Sequence, residues 1–268
     1  MGDHASVVTQ FVSTNGDATM ATAHINSVKV TPPQCLNDFA LQQSSRFKLD
    51  SILDATLSFP DNGVNGIVLH GLYGTGKTTM ANLLPGLIET AKSDPTASTI
   101  PTGDLVDTTD PAQSYHPCIQ GQNGVGLINS IQNATSFVSW NSSGLHYVVL
   151  DEVDLLTDAA KASFKALMNR TNVVFIMTTN HLNEVDPGVQ NRSVLIDMNV
   201  PPAQHWRPIL RRIYTQSGLV APPDATLDQV VQAGRGSARS IFSDVVMSAN
   251  QARKAGQSNV IKISNIRS

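Results

Sequence analysis

Gly66-Ile67-Val68-Leu69-His70-Gly71-Leu72-Tyr73-Gly74-Thr75-Gly76-Lys77-Thr78 carries three signals in thirteen residues. The first five residues are a short apolar run of strand length. The next eight match G-x-x-x-x-G-K-[ST], whose glycines let backbone N–H groups wrap a phosphate. A helical pattern follows over residues 78–92, so the positive end of its dipole faces the same point. Strand, glycine loop and helix in this order are the setting in which the motif binds phosphate and does not merely turn the chain. Lys77 then reaches the β- and γ-phosphates, and Thr78 ligates Mg2+.

Outward from this stretch, strands and helices alternate. Runs at 146–150, 173–178 and 194–198 read as buried strands, with 117–120 as a further strand. Helical spacing covers 158–169 and also 127–138, where Leu127, Ile128, Ile131 and Ala134 share a face. Apolar residues between Leu36 and Leu57 recur at roughly helical spacing, and 93–112, rich in Pro, Asp and Thr, reads as a surface loop. Continuously apolar strands separated by helices predict a parallel sheet covered on both faces, an α/β fold. From Pro201 the pattern becomes helical only, over 203–217, 224–233 and 237–255. The expected organisation is a disordered or weakly extended arm over 1–35, a nucleotide-binding core over 36–200 and a small all-helical lid over 201–268, hinged at Pro201-Pro202.

A second apolar run, Tyr147-Val148-Val149-Leu150, delivers Asp151 and Glu152 at its C-terminal end, where ligands of open α/β sheets bind. Asp151 would hold Mg2+ through its water shell, because Mg2+ usually keeps several waters. Glu152 is placed to polarise an attacking water as general base. Acidic residues at strand ends are common, so this pair takes its meaning from following the first motif at a domain-scale interval. A third run, Phe175-Ile176-Met177-Thr178-Thr179, ends in Asn180. That amide can hold the attacking water or sense a γ-phosphate; alone it reads as a loop asparagine.

In their order these elements resemble the AAA+ superfamily, and within it the clamp-loader (replication factor C-like) ATPase subunits. The resemblance rests on residues 71–78 as Walker A and on Leu150-Asp151-Glu152-Val153-Asp154, with Leu156-Thr157, as Walker B. Thr178-Thr179-Asn180 matches sensor 1; Asp186-Pro187-Gly188-Val189-Gln190-Asn191-Arg192-Ser193 and Gly236-Ser237-Ala238-Arg239 extend the likeness over about 36–250. It implies a P-loop NTPase core with a helical lid, and ATP and Mg2+ as cofactors. Nucleotide contacts are then expected from Gly71, Tyr73, Gly74, Thr75, Gly76, Lys77, Thr78, Thr79, Asp151 and Arg239, with Thr78 and Asp151 toward the metal. Lys77, Glu152, Asn180 and Arg192 are the implied catalytic side chains. Arg192 matches the arginine finger, which reaches the γ-phosphate held by an adjacent subunit. Arg239 matches sensor 2, the lid arginine that touches nucleotide, and residues 31–39 sit where such proteins pack backbone against adenine. The implied partners are further copies, or related ATPase subunits, in a ring or partial ring, acting on DNA and replication proteins.

The sequence departs from clamp loaders in ending at Ser268, before a helical collar is expected. It reads Asn-Arg-Ser at 191–193 in place of their Ser-Arg-Cys, and has no four-cysteine zinc module. A compact core with lid also occurs in helicase loaders, transposition ATPases and viral replication proteins. A protein remodeller usually carries an aromatic–aliphatic–Gly loop after the second strand. Residues 115–126 offer Tyr115 and a glycine-rich stretch but no such triplet. A slow-hydrolysing assembly scaffold is the other alternative, with Glu152 and Asn180 arguing against a dead site. A plain P-loop kinase would need neither Arg192 presented by a neighbour nor the lid arginine.

Composition narrows the classes further. The chain has 268 residues, 41% of them hydrophobic and 15% charged, enough for a large α/β domain with a satellite. No apolar run reaches the roughly 18–20 residues needed to cross a bilayer, and no basic stretch leads into an apolar signal core. A cytoplasmic protein, or one of an intracellular host compartment, without membrane contact is therefore expected. Cys35 and Cys118 have no Cys or His at metal-ligand spacing, as expected of incidental thiols in a reducing compartment. The net charge of −3 conceals an asymmetry: residues 201–268 hold nine Lys/Arg against Asp224, Asp228 and Asp244. A basic lobe on an acidic core suits contact with phosphates, of a nucleotide or of a nucleic acid, or with a neighbour's acidic face.

Overall fold

The apolar runs pair side by side. Strands β1 (Gly66–His70), β2 (Gln113–Pro117), β3 (His146–Asp151), β4 (Val173–Thr179) and β5 (Ser193–Asp197) form one sheet in the order β2-β3-β4-β1-β5, with every pairing parallel. A computed structural model gives this architecture for residues 30–254. Successive strand side chains point to opposite faces, and both faces are dry. Ile67, Leu69, Val149, Val174 and Ile176 pack under α1 (Gln43–Leu53) and α2 (Lys77–Ser93). Val68, Val148, Leu150, Phe175 and Met177 pack under α3 (Val125–Ala134), α4 (Asp158–Leu167) and the short α5 (Pro187–Asn191). This two-sided burial is why the central strands are apolar along their middle, with polar residues only at their ends.

Helices α6 (Arg207–Gln216), α7 (Asp224–Ala233) and α8 (Ala238–Lys254) follow the last strand and gather around a separate core that includes Trp206, Leu210, Tyr214, Leu227, Ile241 and Val245. Three of the lobe's arginines are held by carboxylates. Arg207 bonds Asp228 through two nitrogens, at 2.9 and 2.6 Å. Arg211 meets Asp224 at 2.5 Å, and Arg212 reaches Asp38 of the core at 2.5 Å.

The structure corrects several element boundaries. The strand expected at 117–120 is Gln113–Pro117. It is the edge strand and is largely polar, so no apolar run marks it, and beyond Pro117 the chain turns at Gly121 with φ +87°. The helix expected to reach 138 ends at Ala134. There Thr135 Oγ1 donates back to Ile131 O at 2.8 Å, and Phe137, Val138 and Trp140 stand in solvent. The helical spacing between Leu36 and Leu57 resolves into a 3-10 turn, Leu36–Asp38, and the later α1. Residues 1–29 of the expected arm lie outside the described residues, whereas residues 31–34, in neither helix nor strand, line the edge of a cavity.

Phe164 of α4 meets Phe175 of β4 edge-on at 5.2 Å, both fully buried. Phe164→Ala is expected to cost about 3–5 kcal/mol of stability, seen as a lower urea midpoint at unchanged slope.

Candidate functional site

The parallel register brings the C-terminal ends of β1, β3 and β4 together, and the loops leaving them make one site. After His70 the loop of residues 71–76 runs into the N-terminus of α2. Gly76 caps α2 with φ +92° and Gly74 has φ +74°, both in the left-handed region, which favours glycine. A Cβ on Gly74 would also stand 2.6 Å from Ser237 Oγ of the lid lobe. The first-turn amides of α2 face this loop, and the arrangement fits an anion.

Lys77 begins α2 and curls back over the loop, its Nζ donating to Gly71 O at 2.9 Å and Leu72 O at 2.7 Å. Burial lowers its pKa from the ordinary lysine value, while Asp151, Asp154 and Glu152 act in the opposite direction. Thr78 Oγ1 faces Asp151 across the site, 3.0 Å from Oδ1 and 3.2 Å from Oδ2. Hydroxyl and carboxylate oxygens in contact are a hard donor pair of the kind Mg2+ takes, so the residues present fit that ion.

Two further hydroxyls hold the same carboxylate, and neither was singled out from sequence for this. Thr178 Oγ1 donates to Asp151 Oδ1 at 2.5 Å, and Tyr115 OH donates to Oδ2 at 2.8 Å. Thr178 Oγ1 also accepts the amide of Glu152 at 2.9 Å. That amide bond accompanies a left-handed backbone at Glu152, φ 60° and ψ 53°, uncommon for a residue with a long side chain. Such conformations persist where surroundings over-determine them, and they gather at functional sites.

Asn180 follows β4 directly, and because His70 lies opposite Thr179 it leaves the sheet beside Gly71. His181, next along, pairs with the buried Asp154 at 3.1 Å and meets the Tyr73 ring edge-on at 6.3 Å. Asn199, beyond β5, donates no part of the expected site yet braces it: its Oδ1 accepts the amide of Leu72 at 2.9 Å. On the lobe side, the amide of Arg239 donates to Gly74 O at 3.1 Å. Sequence alone offered no signal for Asn199, Tyr115 or this backbone bond, because each depends on register or domain packing.

A cavity of about 580 Å³ opens beside Gly74, Thr75, Gly76 and Thr79. Residues 31–35 and Phe39 line one wall, and Trp206, Ile213, Ala238, Arg239 and Phe242 of the helical lobe line the other. The wall is mainly apolar, with Trp206 and Phe242 at 5.7 Å in an edge contact, suiting a planar ring held beside the phosphate cradle.

Arg192 is the one expected residue that the fold removes from this cluster. It precedes β5, at the opposite end of the sheet, where its carbonyl accepts the amides of Asn65 and Gly66. Its guanidinium reaches Gly188 O at 3.0 Å and Asn169 Oδ1 at 3.3 Å. At about 3.3 Å per residue, the five residues of β1 separate the two sheet ends by roughly 13 Å.

A parallel sheet with a glycine-rich loop feeding a helix from its central strand defines a P-loop nucleotide-binding protein. The family model described as "ATPase family associated with various cellular activities (AAA)" matches residues 67–200, half of the 268 residues. The chain belongs to this family of nucleotide-hydrolysing ATPases. No curated protein matches the sequence. Among solved structures, a point variant of Thermotoga maritima RuvB superposes with a TM-score of 0.62 at 14% identity, covering 89% of this chain and 71% of its own. RuvB from the same organism, described as a Holliday junction branch migration motor, gives 0.61 at 13% identity over 89% and 71%. At such identities the likeness is one of fold. A DNA polymerase III gamma subunit-related protein of that organism gives 0.46 at 14% identity over 78% of this chain and 60% of its own, too loose to carry an argument. No helix among the described residues is long and apolar enough to cross a membrane.

Cys118 stands directly behind the site, fully buried, its amide donating to Asp151 O at 2.9 Å. Burial pushes its thiol up to about 12, and Asp151, Asp154 and Glu152 push the same way. At pH 8.5 it is expected to resist iodoacetamide in the folded protein and to label readily in urea, as read by mass spectrometry of the peptide; rapid labelling of the native chain would contradict this packing.

Proposed function

We propose that this protein binds Mg-ATP at residues 71–78 and hydrolyses it at a boundary between subunits, each site being completed by the neighbour's arginine. The observation that carries this is the placement of Arg192. It stands at the far end of the sheet from its own Lys77 and Asp151, so only a second copy or a related subunit can bring such an arginine to them. In this arrangement Lys77 leaves the carbonyls of Gly71 and Leu72 to meet the β- and γ-phosphates. Thr75, Gly76, Thr78 and Thr79 supply loop and helix-terminal donors, and Tyr73 and Arg239 close over the nucleotide. Glu152 takes the proton of the attacking water, which Asn180 helps to orient. Mg2+, held by Thr78 and by Asp151 through water, would supply charge neutralisation at the phosphates.

Residues 201–254 act here as a lid turning against the core, with residues 31–39 and the lid enclosing the base. Lys77→Ala is expected to abolish nucleotide binding, and Glu152→Gln to bind without turnover. Arg192→Ala should bind normally and hydrolyse slower by orders of magnitude. Mixing Lys77→Ala with Arg192→Ala should restore activity, since one supplies the arginine and the other the site; a mixture no more active than its components would remove the shared-site reading.

The motor is proposed to work in DNA replication, as a clamp-loader-like or helicase-loader-like ATPase. The order of motifs over 147–193 and the basic balance of 201–268 support this. Several of those arginines are committed to carboxylates within the chain, which narrows the charge left for a nucleic acid. The polypeptide-threading alternative loses Tyr115, whose hydroxyl is engaged by Asp151. If DNA is the substrate, the steady-state ATPase rate should rise with primed single-stranded DNA and steeply with protein concentration. A rate indifferent to DNA would leave the ATPase standing and favour protein remodelling or an assembly scaffold.

A further inference from the structure

We propose that Tyr115 is a positioning residue for the carboxylate that holds the metal, and this inference rests on the ATPase reading above. Three hydroxyls, each with one proton, converge on Asp151. Thr178 holds Oδ1 at 2.5 Å and Tyr115 holds Oδ2 at 2.8 Å, while Thr78 straddles the two oxygens at 3.0 and 3.2 Å. The first two therefore hold one carboxylate oxygen each, and Thr78, the other expected metal ligand, reaches both. Thr178 cannot do this alone. Its single proton goes to Oδ1, while its oxygen accepts the Glu152 amide, so without the phenol Oδ2 keeps only the longer contact, at 3.2 Å, to Thr78.

The register explains why the residue is a tyrosine on β2. Tyr115 lies opposite Val149 and Pro117 opposite Asp151, so Tyr115 and Asp151 share a sheet face two residues apart along the strand. That offset is about 6.6 Å at strand spacing, close to the reach of a phenol. A shorter serine or threonine at 115 would fall short, and Phe would reach without donating. Core filling does not account for the ring, which is 44% exposed on the edge strand. Groups that orient a metal ligand from behind typically change metal affinity about 10–100-fold when removed.

The test uses the full chain, a non-hydrolysed ATP analogue and Mn2+ as the probe, with bound ion measured from loss of the free-Mn2+ electron paramagnetic signal. Tyr115→Phe is expected to bind Mn2+ about 10-fold or more weakly, while binding the analogue in EDTA as the parent does. The same variant should need correspondingly more Mg2+ for half-maximal hydrolysis, with kcat retained at saturating Mg2+. Equal Mn2+ affinity in parent and variant would overturn the positioning role and leave the ATPase reading intact. Tighter Mn2+ binding by the variant would also overturn it, because the phenol would then be a competitor of the metal. A parent chain that binds neither analogue nor Mn2+ would instead sink the ATPase reading on which the inference stands.

Discussion

The parallel register of β1 between β4 and β5 is the constraint from which the rest of this molecule follows. Gly66 aligns with Phe175 and Ser193, and His70 with Thr179 and Asp197. One end of the three strands thereby gathers the glycine loop, Asn180 and Asn199, and the other end gathers Asn65 and Arg192. A one-residue slip would reverse every strand side chain between the two buried faces, so the register is held by the cores above and below the sheet. The chemistry then has no choice of location. Carboxylate, hydroxyls and loop amides share an edge, and Arg192 is kept from it by the length of a strand.

The site built on that edge spends stability for arrangement. Lys77 and Asp154 are nearly dry, and one oxygen of Asp154 has no hydrogen-bond partner among the described residues. Such groups cost free energy when buried without compensation. Glu152 holds a left-handed backbone that a glycine would adopt without strain. Polar Thr178 and Thr179 end a strand that is otherwise wholly apolar. A sequence optimised for packing alone would contain none of these, and their clustering within one region is itself an argument that the region works.

What could be read in advance follows the same physics. β1, β3 and β4 are buried on both sides, so their apolar runs announce them, and the glycine loop announces the strand-to-helix turn between β1 and α2. The residues at strand ends, Asp151 and Asn180, were legible because their strands were. β2 was misplaced because an edge strand needs no apolar run and is polar at Gln113, Ser114 and His116. The end of α3 at Ala134, short of the expected 138, is hidden in the sequence because Phe137 and Val138 continue an apolar pattern while standing in solvent, where no buried face extends the helix. Tyr115 and Asn199 bear on the site only through register and contact between distant segments, which spacing in the chain does not encode. The basic balance of the C-terminal lobe was legible as a sum, but the pairing of Arg207, Arg211 and Arg212 with carboxylates is a matter of three-dimensional placement.

The phosphate loop is also the point at which the two parts of the molecule hold each other. Its Gly74 carbonyl accepts the amide of Arg239, its Leu72 amide is bound by Asn199 beyond β5, and its Gly74 α-carbon leaves no room beneath Ser237. The cavity beside it is walled on one side by the core and on the other by the helical lobe. A ligand filling that cavity must therefore touch both parts. The lobe also meets the core through the Arg212–Asp38 ion pair and through apolar contacts that include Ala40 and Val30. The same few contacts, one backbone to backbone and one from a side-chain amide, thus lie both at the floor of the candidate site and at the join between the two parts.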